Sequence, residues 1–244
     1  MKNILVTGVS SGMGKAVAQL LVKEGYFVYG IYNTGKEEAE KLKNKLKNIE
    51  MFQCDFSNRK NTEALIQKLG KFRFKGIVNS AGVFIDVDLN NFDMKVWEKT
   101  FEINLNAPLL LIEGLKENLE KDASIVNISS TDGMIGSFSG MAYSASKAAL
   151  INITQSLANI LAPKKIRTNA IAPGWIGGGM GAPKELLKEV ASLNPLKRVG
   201  TYEEIAQVVS FLLSDKSSYI NGTTITVDGG DMSTNYILRK EAEM

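Results

Sequence analysis

Tyr143-Ser144-Ala145-Ser146-Lys147 lies in a chain of 244 residues that contains no histidine. Without His, the usual proton carrier near neutral pH is missing. A Ser-His-Asp triad, a Cys-His pair and a His-ligated metal site are excluded together, and no metal is expected. Acid/base chemistry falls to Tyr, Lys, Asp or Glu. On one helix, Tyr143 and Lys147 would lie a turn apart on the same face. An ammonium held beside a phenol favours the phenolate and draws the Tyr pKa down from about 10 toward working pH. Such a Tyr can give or take a proton at a carbonyl or hydroxyl group.

Spacing alone does not select this pair, because Tyr32 with Lys36 and Tyr236 with Lys240 repeat it. Context must choose. The first context is a glycine-rich turn, residues 7–14, between the apolar run Asn3–Thr7 and a helical pattern carrying Val17, Leu20 and Leu21. Gly8, Ser10, Ser11, Gly12, Met13 and Gly14 there can bring backbone close to a pyrophosphate, with helix N–H groups facing the anion. An NAD site places an acid after the second strand to hold the ribose 2′-hydroxyl. After Phe27–Tyr32 this chain has Asn33, Thr34, Gly35 and Lys36, with no acid before Glu37. Asn33, Thr34 and Lys36 can hydrogen-bond or attract a 2′-phosphate, which favours NADP (NADPH), with NAD as the alternative. Ser11 stands where a basic residue would have strengthened that grip. The same placement puts Tyr32 and Lys36 at the adenosine end, away from the reacting ring.

Short runs rich in Ile, Val and Phe recur at residues 3–7, 27–32, 50–54, 76–79, 124–129, 167–171 and 223–227. Most read as strands buried on both faces. Helical patterns fall between them, near 37–46, 61–69, 95–119 and 142–161, and Thr201 with Glu204 forms a capping box that opens a helix through Leu213. This alternation predicts an α/β fold: a parallel sheet of about seven strands with helices on both faces, in one domain over residues 1–244. Residues 177–183 hold four glycines in five positions and precede a short helical pattern at 184–192. This segment, 177–195, reads as a surface loop or as a mobile lid over a site.

The bulk properties are those of a water-soluble globule: 44% hydrophobic, 23% charged, net charge +3. No like-charge block suggests nucleic acid, and no apolar run is long enough to span a membrane. The run near Met1 is too short for a signal peptide, and the one cysteine, Cys54, fits a reducing compartment. A cytoplasmic protein is expected.

With the glycine turn and Tyr143-x-x-x-Lys147 in one α/β chain, the sequence resembles the short-chain dehydrogenase/reductase family over nearly its whole length. The resemblance implies a doubly wound Rossmann-type domain. It assigns Asp55, with Phe56 beside it, to the adenine, and matches Asn79-Ser80-Ala81-Gly82 to a cofactor-binding turn, with Ser80 replacing a second Asn. Asn104 matches the catalytic Asn, and Ser130, thirteen residues before Tyr143, the catalytic Ser. Thirteen before Tyr32 stands Gln19, and before Tyr236, Thr223, so Tyr143 is selected.

The resemblance makes Tyr143 the general acid in reduction and the base in oxidation, while Lys147 lowers its pKa and binds the nicotinamide ribose. Ser130 meets the substrate oxygen, and Asn104 holds a water that links Lys147 to solvent. Pro173-Gly174 passes beneath the nicotinamide and Ile176 meets its carboxamide; Gly178 stands where a cofactor-binding Thr is usual. The segments at 194–198, 201–206 and 219–230 look most like the 3-oxoacyl-[acyl-carrier-protein] reductase branch, which implies NADPH-dependent reduction of a 3-oxoacyl thioester. An NAD-dependent dehydrogenase of a small alcohol or polyol is the alternative, and a non-catalytic dinucleotide sensor a lesser one. Lys121 and Lys164 fall near residues that meet acyl carrier protein in that branch, or are plain surface charge. Met134, Ile135, Phe138, Met141, Trp175 and Met180 would line an apolar substrate pocket, if they are not core. A homotetramer is also implied, with residues 95–119 and 142–161 pairing between subunits.

Overall fold

The computed structural model describes residues 1–236 and 240–241. Seven strands form one parallel sheet: β1 (Asn3–Thr7), β2 (Phe27–Tyr32), β3 (Ile49–Gln53), β4 (Phe74–Asn79), β5 (Leu119–Ile128), β6 (Arg167–Pro173) and β7 (Thr224–Val227). Their order is β3-β2-β1-β4-β5-β6-β7. Period-two alternation distributes apolar side chains to both faces. Ile4, Val6, Val78, Val126 and Ile128 pack with α1 (Gly12–Lys23), α2 (Lys36–Lys45) and later α8 (Tyr202–Leu213). Leu5, Ile77, Phe74 and Ile125 face the other way, toward α3 (Arg59–Leu69), α5 (Ala107–Leu115) and α6 (Met141–Leu161). The strand order reverses between β1 and β4, and the crevice beyond their carboxyl ends is where open α/β sheets bind ligands.

The single helix expected over 95–119 is instead divided. α4 (Met94–Phe101) runs into a π-helical turn, Glu102–Asn106, then α5, then a short 3-10 turn, Lys116–Asn118. Arg59 makes two hydrogen bonds to the Glu102 carboxylate, at 3.1 and 2.7 Å, and Asn106 donates to the same group, which fixes the wide turn from outside. Leu119 belongs to β5, paired with Phe74. α7 (Lys184–Leu193) lies in the 177–195 segment and buries none of its residues. Among the described residues, no helix is long and apolar enough to cross a membrane.

Candidate active site

α6 carries Tyr143 and Lys147 on one face, and three neighbours fix its first turns. Gly133 lies so close that a Cβ there would stand 2.8 Å from the Lys147 carbonyl carbon. Ser129 donates its hydroxyl to the Lys147 carbonyl at 2.9 Å. Ser146 donates to the Tyr143 carbonyl and accepts from the Asn104 amide at 3.1 Å. The helix end is thus positioned by the end of β5 and by the π turn together.

Tyr143 is 8% exposed and Lys147 4%. Phe84 meets the Tyr143 ring edge-on, and the Lys147 ammonium lies 5.6 Å from the centre of that ring. The Ser130 hydroxyl shares a hydrogen bond with the Tyr143 hydroxyl. Burial pushes the phenol up to about 12; the Ser130 bond opposes this, and the nearby Asp132 charge adds to it. Lys147 was expected to draw the phenol down, and in the protein alone it does not. Its ammonium donates to the Ile128 carbonyl at 2.8 Å, and burial lowers Lys147 itself to about 8. The result is a neutral phenol above a buried cation that is in ion-pair contact with no carboxylate among the described residues.

Asn104 sits in the π turn, fully buried. Its side chain accepts from Val83 N–H at 2.8 Å and donates to the Val83 carbonyl at 3.0 Å as well as to Ser146. Gly82 passes between it and Lys147: a Cβ there would lie 3.3 Å from Asn104 Oδ1 and 3.4 Å from Lys147 Nζ. The four expected catalytic side chains therefore converge. Asn104's amide holds the 82–83 turn against α6.

At the crevice, Thr7 Oγ1 accepts from Ser80 and Ala81 N–H, at 3.0 and 2.9 Å, and binds the turn after β4 to the end of β1. Gly14 must be glycine, since a Cβ would lie 2.3 Å from the Gly8 carbonyl oxygen. Ser11, the N-cap of α1, makes no side-chain capping bond, which leaves the N–H groups of the first turn facing outward beside Gly12 and Met13. Ser10 packs against Gly35. Asn33 donates to Asp55 at 3.4 Å, and the Ser57 backbone N–H holds the Asp55 carboxyl below its ordinary range. Asn33 and Asp55 border an open cleft of about 550 Å³, and Phe56 is buried next to it. Asn79 is committed inward: it donates to Asn127 at 2.8 Å, while its side-chain Oδ1 is buried without a partner among the described residues.

β6 delivers Pro173, and Gly174 follows where a Cβ would stand 2.8 Å from Asp228 Cβ. Ile176 is buried and bridged to Gly200. Met134, Ile135, Phe138, Trp175 and Met180 are all exposed, so they are not core; Met141 is half-buried. Lys121 lies early in β5, and Lys164 pairs with Glu117 at 2.6 Å. Lys164 follows the carboxyl end of α6, a helix roughly 30 Å long whose other end bears Tyr143. Tyr32 ends β2 and Lys36 opens α2, apart from the Tyr143 group, and between Tyr236 and Lys240 residues 237–239 lie outside the described residues. Among the described residues, no cluster of His, Cys, Asp or Glu could hold a metal ion. Three neighbours were missed in the sequence: Phe84, Asp132 and Tyr202. Only Asp132 left a signal, as an acid two residues past Ser130 in a stretch of small and apolar residues.

Comparison with known proteins bears on this geometry. The family model described as enoyl-(acyl carrier protein) reductase matches residues 8–231. The chain is 36% identical over 241 residues to the 3-oxoacyl-[acyl-carrier-protein] reductase FabG of Thermotoga maritima, covering 94% of this chain and 97% of that one. It is equally similar, 36% over 242 residues, to protein FixR of Bradyrhizobium diazoefficiens, covering 94% and 86%. Nodulation protein G of a Rhizobium species matches at 34% over 237 residues, covering 94% and 96%. Among solved structures, a short-chain dehydrogenase family protein of Francisella tularensis superposes with a TM-score of 0.85 at 30% identity, covering 96% and 100%. A blue fluorescent protein from a metagenomic library, in complex with NADPH, superposes with 0.86 at 29%, covering 94% and 97%. A parallel sheet in the order β3-β2-β1-β4-β5-β6-β7, a glycine turn at its crevice and matches over nearly the whole chain lead to one conclusion: this protein belongs to the short-chain dehydrogenase/reductase family and is an NAD(P)-dependent oxidoreductase.

Proposed function

We propose that the chain reduces a carbonyl to a secondary alcohol with NADPH, and that its substrate is a 3-oxoacyl thioester. One observation carries the reading: Tyr143, Ser130 and Lys147 converge in a buried site, with the Tyr143 phenol beside the Ser130 hydroxyl. A protonated phenol is the form that can give a proton to an oxygen on which negative charge develops. Ser130 holds that oxygen in place, and its hydroxyl offsets charge there. The buried Lys147 ammonium adds positive potential beneath the ring and has donors left over for the hydroxyls of a ribose. Asn104 keeps the 82–83 turn and α6 at their spacing.

The residues present fit a dinucleotide. Gly8 and Gly14 leave no room for side chains where backbone must approach a diphosphate, and the first turn of α1 offers free N–H donors. When bound, the reduced nicotinamide supplies the hydride. Asn33 and Thr34 stand where an acid would reject a 2′-phosphate, and the nearby Glu38 carboxylate is already paired with Lys15 and Lys41. The exposed apolar residues Met134, Ile135, Phe138 and Met180 suit an acyl chain. The names of several relatives support a thioester carried on acyl carrier protein, although Lys164, paired with Glu117 beyond the far end of α6 from Tyr143, does not. The segment 177–195 acts in this reading as the lid, the assembly is a homotetramer, and the setting is the reducing cytoplasm, where buried Cys54, its thiol pushed up to about 11 by burial, stays inert.

The test is loss of NADPH absorbance with an acetoacetyl thioester. Tyr143→Phe should lower kcat by about a thousandfold while NADPH binding persists. A variant that turns over at the wild-type rate would end this mechanism.

A further inference from the structure

Tyr202 opens α8, and its ring stands between two glycines that are far apart in sequence. A Cβ on Gly177 would lie 2.3 Å from its Cζ, and a Cβ on Gly12 3.5 Å from its Cε1. Gly177 also has a φ of +57°, so both backbone and neighbour require glycine there. The Gly178 N–H donates to the Tyr202 hydroxyl oxygen at 3.1 Å. That oxygen therefore already acts as an acceptor, while its own hydrogen has no acceptor among the described residues. The oxygen lies 3.9 Å from the Cβ position of Gly12, beside the first turn of α1.

We propose that Tyr202 is a further cofactor-binding residue: its O–H donates to the dinucleotide's diphosphate at the first turn of α1, while the same oxygen accepts from Gly178. This rests on the reading of the glycine turn as the diphosphate cradle. A hydroxyl that donates to an anion becomes a better acceptor, because hydrogen bonds in a chain polarise one another. Filling the cradle thus tightens the bond to Gly178 and draws the 177–195 segment down. The three features of Tyr202 (its ring between Gly12 and Gly177, its bond from Gly178, its unspent donor) have one explanation.

Tyr202→Phe keeps the ring and removes only the hydroxyl. NADPH fluorescence titration should show binding weakened about ten- to hundredfold, the range for losing a hydrogen bond to a charged group. NADPH should also protect the exposed Lys184 and Lys188 from trypsin in the wild type, and much less in the variant. Thermal melting of both ligand-free proteins, expected to agree within a few degrees, shows that the fold is intact. Unchanged NADPH affinity in the variant would overturn the role given to Tyr202. A wild type that binds neither NADPH nor NADH would instead overturn the dinucleotide reading beneath it.

Discussion

The proposed proton-transfer end of the cleft and its solvent-facing rim follow opposite physical plans. At the first, Asn104, Ser130, Tyr143 and Lys147 are all under 10% exposed, and α6, the π turn and the end of β5 hold them through bonds that leave few alternatives. At the rim, α7 buries nothing, Met180 sits at a φ of +53°, and Leu186 and Leu193 face solvent. The loop after β2 is similar: Asn33 and Lys36 lie open, and the Asn33 side chain makes a long bond to Asp55. Burial makes the first region expensive to alter and sets the protonation states on which the chemistry depends. Exposure leaves the second free to vary in what it binds, at small cost to the fold. On the proposed reading, reaction type is written in the interior, and cofactor and substrate choice at the rim.

The largest test of that contrast is Lys147→Met, which removes the buried charge at similar length. Turnover should fall by at least about a hundredfold. Stability should move the other way, with a definite pH dependence. Burial lowers Lys147 to about 8 in the folded protein, against the ordinary 10.5 when unfolded. Below pH 8 both states bind the proton, and the folded state bears the full cost of burying it. Between about 8 and 10.5 the unfolded chain binds more protons, so wild-type stability gains as pH rises. Urea unfolding of the ligand-free proteins should find the variant's advantage narrowing by on the order of 2 kcal/mol between pH 7 and 9.5. A gap that does not change with pH would show that the ammonium is not desolvated, and the contrast would lose its basis.

The interior was also the part most legible in the sequence. Strands buried on both faces, such as β1 and β2, announce themselves as apolar runs, and both lie at the residues expected. Tyr143 and Lys147 were singled out by residue type and spacing, and Ser130 and Asn104 by the resemblance to the short-chain dehydrogenase/reductases. The sign of the Tyr143 shift was not legible, because burial sets it first, and how deeply the ring is buried depends on neighbours such as Phe84 that are remote in sequence. The division of the 95–119 helix was hidden for a related reason. Leu115 and Leu119 keep helical spacing, yet Leu119 is buried in register with Phe74. The charged residues Glu120, Lys121 and Asp122, the last at a φ of +60°, conceal the start of β5. Tyr202 left no trace at all, since its meaning lies wholly in contacts with Gly12, Gly177 and Gly178.

An intermediate test falls where the rim rejoins the body. Asn194 is buried: it donates to the Asp228 carbonyl at 2.7 Å and accepts from Leu196 N–H at 2.9 Å. Asn194→Ala leaves both backbone groups short of a partner, at a cost of about 2 kcal/mol by thermal unfolding. The substrate KM should rise several-fold with kcat within about twofold, because the Tyr143 end is untouched. An equal fall in kcat would mean that the two regions are mechanically one.

The smallest effect on stability is expected at Asn33, and it sharpens the contrast most directly. Asn33→Asp exchanges the donor that reaches Asp55 for a carboxylate. Two acids then repel each other, the new one is displaced from Asp55, and it stands where a ribose 2′-hydroxyl can donate to it or a 2′-phosphate is repelled. The ratio of NADPH to NADH affinity should fall by about tenfold, or roughly 1.4 kcal/mol. Stability should move by no more than about 0.5 kcal/mol at this exposed site. Measured with each nicotinamide in turn, a changed ratio at constant melting temperature shows that cofactor choice is held at the rim. An unchanged ratio would move that choice to the glycine turn, where Ser10 packs against Gly35, and with it into the rigid part of the molecule.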